Sequence, residues 1–364
     1  MAERLLIPFD GYTRGNNNFD FIRLSMASLV VWSHSFALYF GTEDHEPLSL
    51  LLNGDYNSGN IGVMGFFIIS GFLVMQSFIS TNSVKRYMGK RIRRIYPGYL
   101  VATSICALIV IPLYSSIRNL SALEVAKTFG ANLLLRNYFP PSNAFAANPE
   151  PGAIDGSLWS IPFEFWCYIG VALLGVLLLL NRGRLLIALT ATVILGRVVL
   201  DLLDKKPGGG LIGLVIGWPY LWFVILPSFL LGMVANSYQN VIPRSRVLLV
   251  ILAAAVVASS RLSPHLTHIV AAPALAYATF FVAFSGSISL HRTAAWGDFS
   301  YGTYLYAFPI QQMLFASWGH ALNFISYFAL SLCLSLLAGV GSWHLVEKWF
   351  VRRFASARLR HASA

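Results

Sequence analysis

Long apolar runs separated by short polar connections occupy most of this chain. The stretches 61–79, 95–114 and 207–243 contain no charged residue. Each reaches about the 20 residues that a helix needs to cross the hydrocarbon core of a bilayer. Because no water is available there to pair with backbone N–H and C=O groups, these runs must be helical.

Breaks at charged and turn residues divide the apolar runs into about ten helices. The predicted ranges are 20–40, 60–80, 95–115, 158–180, 185–203, 215–237, 247–261, 267–288, 297–318 and 322–346. The sixth lies in the longest apolar stretch, where Pro219 and Pro227 also allow a re-entrant or interfacial piece. We therefore predict an all-α integral membrane protein, with both termini on the same side.

Composition and charge support this class and suggest an orientation. The chain is 56% hydrophobic and only 11% charged, which leaves too little polar surface for a soluble globule. The meaning of its net charge of +11 therefore depends on which side of the membrane the Lys and Arg residues lie, and no nucleic acid partner is predicted. A cytoplasmic N-terminus places 18 of the 26 Lys and Arg residues inside, as the positive-inside rule requires.

The same reading gives a simple domain organisation. We predict a cytoplasmic lead-in over 1–19, one transmembrane domain over 20–346 and a basic cytoplasmic tail over 347–364. The longest outward segment is 116–156, which is either an acceptor-binding loop or an ordinary connection. The three cysteines lie inside apolar runs without paired spacing, so a disulfide framework is not predicted.

Ionisable residues inside spans are costly, so they mark candidate functional positions. The first span carries Asp20 and Arg23 near its cytoplasmic end and His34 deeper in the membrane. Eleven residues return a helix almost to the same face, so Arg23 and His34 lie about 16 Å apart along it. A structural alternative is a histidine hydrogen-bonded within the bundle and an arginine paired with Asp20.

A basic cluster, residues 85–94, follows the second span. If this segment is helical, Arg91 and Arg94 face the same way and offer two guanidinium forks suited to phosphate. With Lys90 and Arg23, they form a predicted binding site for a polyanionic cofactor. The cluster also serves as a topology anchor, a role that needs no ligand.

Glu164 is a lone carboxylate in the fourth predicted span. Ser157, Trp159 and Ser160 precede it, and Pro162 frees backbone groups nearby. Glu164 could orient or polarise His34, or form a salt bridge with an arginine. In the fifth span, Arg197 and Asp201 are spaced to satisfy one another.

Five motifs in this order resemble the signatures of the acyltransferase-3 family. They are Phe19 to Arg23 with His34, Gly62 to Leu73, Arg91 to Pro97, Ser157 to Glu164, and Ser300 to Leu305. Members of that family are multispan O-acyltransferases, mostly bacterial, that modify cell-surface and exported glycans. The resemblance covers nearly the whole chain and implies a multi-pass protein of the bacterial inner membrane.

The resemblance also implies roles for individual residues. In the family, the Arg and His of the first span and the Arg-x-x-Arg pair are essential, which corresponds to Arg23, His34, Arg91 and Arg94. Acetyl-CoA is the usual donor, and no metal is implied. Ser70 and Tyr301 lie in family motifs and are supporting candidates.

This chain departs from the family pattern at one position. Many members carry a histidine after Tyr-Leu-x, where Ala307 stands here. Any second-histidine role is therefore vacant, or is filled by a group such as Asp298 or Tyr301. We expect a stand-alone member, without the esterase-like domain that some relatives append.

Two functions follow as hypotheses. In the first, His34 acts as general base toward an acceptor hydroxyl or carries the acyl group transiently, and either route requires a neutral imidazole. The partners are then acetyl-CoA, a glycan or glycolipid acceptor and membrane lipid. In the second, Arg23, His34 and Glu164 form the pathway of a proton-coupled transporter. The sequence contains no detectable inverted repeat, which disfavours the second.

Overall fold

The computed structural model describes residues 17–81, 83–117, 119–285, 297–319 and 321–351. Within these ranges the chain is helical, and no strand occurs. The helices are α1 (Phe19–Phe40), α2 (Pro47–Leu51), α3 (Ser58–Thr81), α4 (Val84–Ile105), α5 (Ile111–Tyr114), α6 (Ala122–Leu133), α7 (Ser160–Val176), α8 (Gly183–Leu202), α9 (Gly210–Ile216), α10 (Pro219–Ser237), α11 (Arg246–Leu262), α12 (Pro264–Ala283), α13 (Ser300–Trp318) and α14 (Phe324–Ser342). Two π-helical turns, Cys106–Val110 and Trp343–Glu347, extend α4 and α14.

Each of the ten predicted helices has a counterpart, which confirms the all-α class. Seven helical stretches in the described part of the chain are long and apolar enough to cross a membrane. They are Phe19–Phe40, Ser58–Thr81, Val84–Tyr114, Gly183–Leu202, Pro219–Ser237, Pro264–Ala283 and Phe324–Val351. The helices α7 and α11 have 17 residues each, and α13 has 19. The number of spans therefore stays a prediction, as does the side on which the termini lie.

The largest difference from the sequence prediction concerns the third span. It was expected to begin at 95, but α4 already begins at Val84 and contains the whole basic cluster. Charged residues end a hydropathy window without ending a helix, since Lys and Arg are good helix formers. The stretch around Pro219 also differs, because the separate helix α9 precedes α10.

The chain divides into two compact units. The first comprises Met1–Leu29, Asp44–Tyr87 and Phe163–Trp296, of which residues 1–16, 82 and 286–296 lie outside the described ranges. The second comprises Val30–Glu43, Met88–Pro162 and Gly297–Ala364, and here residues 118, 320 and 352–364 lie outside them. Most of the predicted lead-in and tail therefore falls on residues that are not described.

The first unit is built around an aromatic core. The Phe72 ring lies 5.7 Å from the Phe19 ring and 5.1 Å from the Phe280 ring, so α1, α3 and α12 meet there. Helices α3 and α10 approach so closely that a Cβ atom added at Gly71 would overlap the Phe229 carbonyl oxygen. Such contacts between small residues let helix backbones pack tightly in a membrane.

The second unit joins the C-terminal half of α1 to α4, α13 and α14. Leu38, Phe308, Phe315 and Tyr327 form one buried cluster of this unit. Gln311 is fully buried and donates hydrogen bonds to the Val31 carbonyl oxygen at 2.9 Å and to Ser35 Oγ at 2.8 Å. These bonds fix the segment of α1 that carries His34.

Candidate functional site

Both predicted residues of the first span lie on one uninterrupted helix. Because α1 runs from Phe19 to Phe40, the helical spacing expected between Arg23 and His34 applies. Arg23 and Asp20 are partly buried and belong to the first unit, whereas His34 belongs to the second.

The His34 imidazole packs against an aromatic ring of the second unit. Its centroid lies 5.2 Å from that of Phe308, with the ring planes at 84°. Its Nδ1 atom is buried and has no hydrogen-bond partner among the described residues. Buried polar atoms are usually paired, so this imidazole nitrogen remains available to a water molecule or a ligand.

Glu164 occupies a polar cluster of the first unit. Its Oε1 atom accepts hydrogen bonds from Ser70 Oγ and from the Tyr168 hydroxyl, both at 2.6 Å. The structure therefore brings together two predicted residues, Glu164 and Ser70. Tyr168 was missed, although its position one turn after Glu164 on the same helix was a usable signal.

Three predicted supporting residues lie around the start of α7. Ser157 and Trp159 stand in the turn before this helix, and Ser160 is its first residue. The Ser160 hydroxyl is hydrogen-bonded to the Tyr304 hydroxyl at 2.8 Å. Ser157 is fully buried, and its Oγ atom has no hydrogen-bond partner among the residues described.

Arg94 lies between two carboxylates of the second unit. Its guanidinium is 2.6 Å from Asp298 and 3.4 Å from Glu347, and it packs over the Tyr301 ring at 5.2 Å. Glu347 is only 1% exposed. Arg94 was expected to meet a phosphate, and the structure gives its positive charge two protein partners. Sequence reasoning missed Glu347, which it placed at the start of the tail.

The groups suggested for the vacant histidine role are also engaged. Asp298 pairs with Arg94 and accepts a hydrogen bond from Ser300 Oγ at 2.6 Å. The Tyr301 hydroxyl donates to the Ile95 carbonyl oxygen at 2.8 Å. Ala307 itself is fully buried in α13.

Arg91 and Lys90 lie on α4 in the second unit, both partly buried. Because the cluster is helical, Arg91 and Arg94 lie on neighbouring turns of one face, as the spacing predicted. Among the residues described, no group of three or more His, Cys, Asp or Glu side chains is arranged to hold a metal ion. The candidate residues offer an imidazole, carboxyls, hydroxyls and guanidinium groups.

Comparisons with known proteins identify the family. A family model described as an acyltransferase domain matches residues 16–344. Over 350 residues the chain is 28% identical to an O-acetyl transferase of Shigella phage Sf6, which covers 93% of this chain and 97% of that protein. Over 103 residues it is 36% identical to nodulation protein 10 of Rhizobium leguminosarum bv. viciae, which covers 28% of this chain and 27% of that protein. No solved structure matches. Since the family model spans most of the chain, and the helices have the multispan form expected of it, the protein belongs to the acyltransferase-3 family.

Proposed function

We propose that this protein transfers an acetyl group from cytoplasmic acetyl-CoA to a hydroxyl of a glycan or glycolipid on the far side of the bacterial inner membrane. The family supports acyl transfer, and the relative named as an O-acetyl transferase supports acetyl as the group and oxygen as the acceptor atom. Residues 20–346 form the catalytic domain in this proposal.

The observation that carries the proposal is the unpaired Nδ1 atom of His34. A neutral imidazole accepts a proton at one nitrogen while the other bears hydrogen. His34 is therefore proposed to take the proton of the acceptor hydroxyl as it attacks the thioester, or to carry the acetyl group in passing. Ser35 and Gln311 hold this segment of α1 in place.

Donor binding is assigned to the basic residues of α4 and α1. Arg91 and Lys90 are proposed to contact phosphates of acetyl-CoA, because they lie on the turn that precedes Arg94. Arg94 is proposed to belong to the same donor-binding site. Its ion pairs with Asp298 and Glu347 give it mainly a structural role, which is to hold α4 in position. Arg23, in the first unit, is proposed as a phosphate contact on the ground of the family resemblance alone.

Glu164, which lies in the first unit, is proposed as a residue that supports catalysis. Its hydrogen bonds to Ser70 and Tyr168 leave it an acceptor with a fixed orientation. Ser160 and Ser157 are proposed to hold the turn that leads into the same helix. Trp159 and Tyr301 complete the set of supporting residues, and Asp20 is proposed to orient Arg23 in the first turn of α1.

The experiment is acetyl transfer in proteoliposomes supplied with labelled acetyl-CoA on the cytoplasmic face. The acceptor is the glycan that loses its acetyl ester when the gene is deleted. We expect His34→Ala to lower transfer by about 10²- to 10⁴-fold, the usual contribution of a general base. His265→Ala is the matched control, since His265 Nδ1 is also buried without a partner.

An active His34→Ala protein would remove the histidine from the mechanism. If the wild-type protein drives substrate uptake without consuming acetyl-CoA, the transport hypothesis replaces acyl transfer.

A further inference from the structure

One carboxyl group of the second unit has no part in the roles assigned so far. Asp155 lies in the connection before α7, where its Oδ1 atom accepts a hydrogen bond from the Ser157 backbone N–H at 3.0 Å. Its Oδ2 atom is buried and has no hydrogen-bond partner in the described chain. A buried polar atom left unpaired is destabilising, so this atom calls for an explanation.

The surroundings of the Asp155 side chain favour its neutral, protonated form. Burial raises the pKa of this carboxyl well above its usual range. The groups that interact with it electrostatically are Tyr99, Cys106 and Tyr306, none of which is a cation. Within the described ranges no Lys or Arg pairs with Asp155 either. A protonated carboxyl has one O–H donor, and with Oδ1 accepting from Ser157 that donor is Oδ2.

The residue after Asp155 shares a packing partner with the proposed catalytic histidine. This residue, Gly156, lies against the Phe308 ring so tightly that an added Cβ would come within 2.5–2.9 Å of three ring atoms. The His34 ring packs on the same phenylalanine at 5.2 Å. Phe308 thus links His34, whose Nδ1 atom is unpaired, to the connection that carries Asp155, whose Oδ2 atom is unpaired.

We propose that Asp155 is the general acid of the transfer reaction, donating its Oδ2 proton to the sulfur of the departing coenzyme A. This inference rests on the proposed function. General acid–base catalysis of this transfer uses one group that takes the proton of the hydroxyl and one that gives a proton to the sulfur, and His34 and the residue next to Asp155 both pack on Phe308.

The step balances without a further reactant. The acceptor O–H gives its proton to His34 as its oxygen forms a bond to the carbonyl carbon. The C–S bond then breaks, its electron pair goes to sulfur, and the Asp155 proton follows. The products are the ester and the free thiol, with His34 protonated and Asp155 ionised. Return of one proton from His34 to Asp155 restores the starting state.

The partly buried setting gives an acid a use even with a thiol leaving group. In water a thiolate is well solvated, whereas an anion that loses part of its solvation is costly. Proton donation by Asp155 avoids that charge. The same loss of solvation favours the protonated carboxyl before the reaction.

The test compares Asp155→Asn with wild type on two donors in proteoliposomes. Asparagine keeps the shape and the acceptor for the Ser157 N–H but cannot give up a proton. With acetyl-CoA we expect Asp155→Asn to be slower by about 10²- to 10⁴-fold. With the acetyl thioester of p-nitrothiophenol, whose thiolate leaves without protonation, we expect a rate close to wild type. Glu150→Gln, the corresponding change in the same connection, serves as the control.

The pH profile gives an independent readout. The acid must be protonated to act, so wild-type transfer from acetyl-CoA should fall as pH rises through the raised pKa of Asp155. Asp155→Asn should lack this basic limb.

Each outcome decides between the roles. If Asp155→Asn slows transfer equally with both donors, Asp155 is a structural residue. If Asp155→Asn transfers from acetyl-CoA at the wild-type rate, Asp155 is not the general acid, and the proposed function is unaffected. If wild type transfers no acetyl group from acetyl-CoA, the proposed function fails and the inference fails with it.

Discussion

At the scale of single residues, Arg94 has the clearest structural role. It lies between Asp298 and Glu347, and Glu347 also accepts a hydrogen bond from Ser342 Oγ at 2.8 Å. Removing one partner of a buried ion pair leaves an uncompensated charge in a poorly polar site. The pairing is therefore expected to stabilise this unit strongly.

We expect Arg94→Ala to lower the free energy of unfolding by about 3 kcal/mol, the lower end of the range for breaking a buried pair, because Arg94 keeps some exposure. Thermal unfolding in detergent measures the loss. Arg86→Ala is the control, since Arg86 is exposed on the same helix and should matter little. Equal stability of the two variants would contradict the role given to the ion pairs.

Gln311 gives a second prediction at this scale. It is buried and bonds to Ser35 and Val31, so Gln311→Leu leaves the α1 carbonyl and hydroxyl without these donors. The His34 segment should then be less well positioned, which lowers kcat while the KM for acetyl-CoA stays near wild type. A raised KM with unchanged kcat would place Gln311 in donor binding instead.

The sequence identified several of these residues but could not pair them. Arg23, His34 and Glu164 were recognised because ionisable groups are rare inside apolar runs, and Arg94 because of its spacing from Arg91 in the basic cluster. Glu347 lies far along the chain from Arg94, and only the fold brings them together. Asp155 was missed because a carboxylate in a polar connection is ordinary, and its burial is a property of packing.

At the scale of elements, hydropathy located the helices because lipid forces the backbone to pair within each span. It could not locate the start of α4, whose first turns are basic, nor its π-helical turn at Cys106–Val110. A π-turn inserts one extra residue, and in the uniformly apolar run Cys106–Val110 this leaves the hydropathy unchanged. Hydropathy is therefore a good guide to the presence of a helix and a poor one to its ends.

The contact between α3 and α10 gives a prediction of this scale. Gly71→Ala would push a methyl group against the Phe229 carbonyl oxygen, which cannot move without shifting a helix. We expect a loss of about 1–3 kcal/mol from overpacking, seen as a lower melting temperature in detergent. Gly170→Ala is the control, because no atom lies within 4 Å of a Cβ built there. If both variants melt alike, the close approach of the helices is not required.

At the scale of the whole molecule, the arrangement across the membrane decides whether the proposed reaction is feasible. In the proposed reaction, the donor reaches Arg91 from the cytoplasm and the acceptor approaches from the other side of the membrane. The positive-inside rule predicts this arrangement from the sequence.

Single cysteines test the arrangement in intact cells. In a Cys333→Ala parent, which keeps only the buried Cys106 and Cys167, we place one cysteine at exposed Ala147 or at exposed Lys85. A membrane-impermeant maleimide should label Ala147→Cys directly and Lys85→Cys only after permeabilisation, while the parent stays unlabelled. The opposite pattern would put the basic helix outside, where no acetyl-CoA is available. A reaction that uses acetyl-CoA from that side would then be impossible, so the proposed donor depends on the predicted orientation.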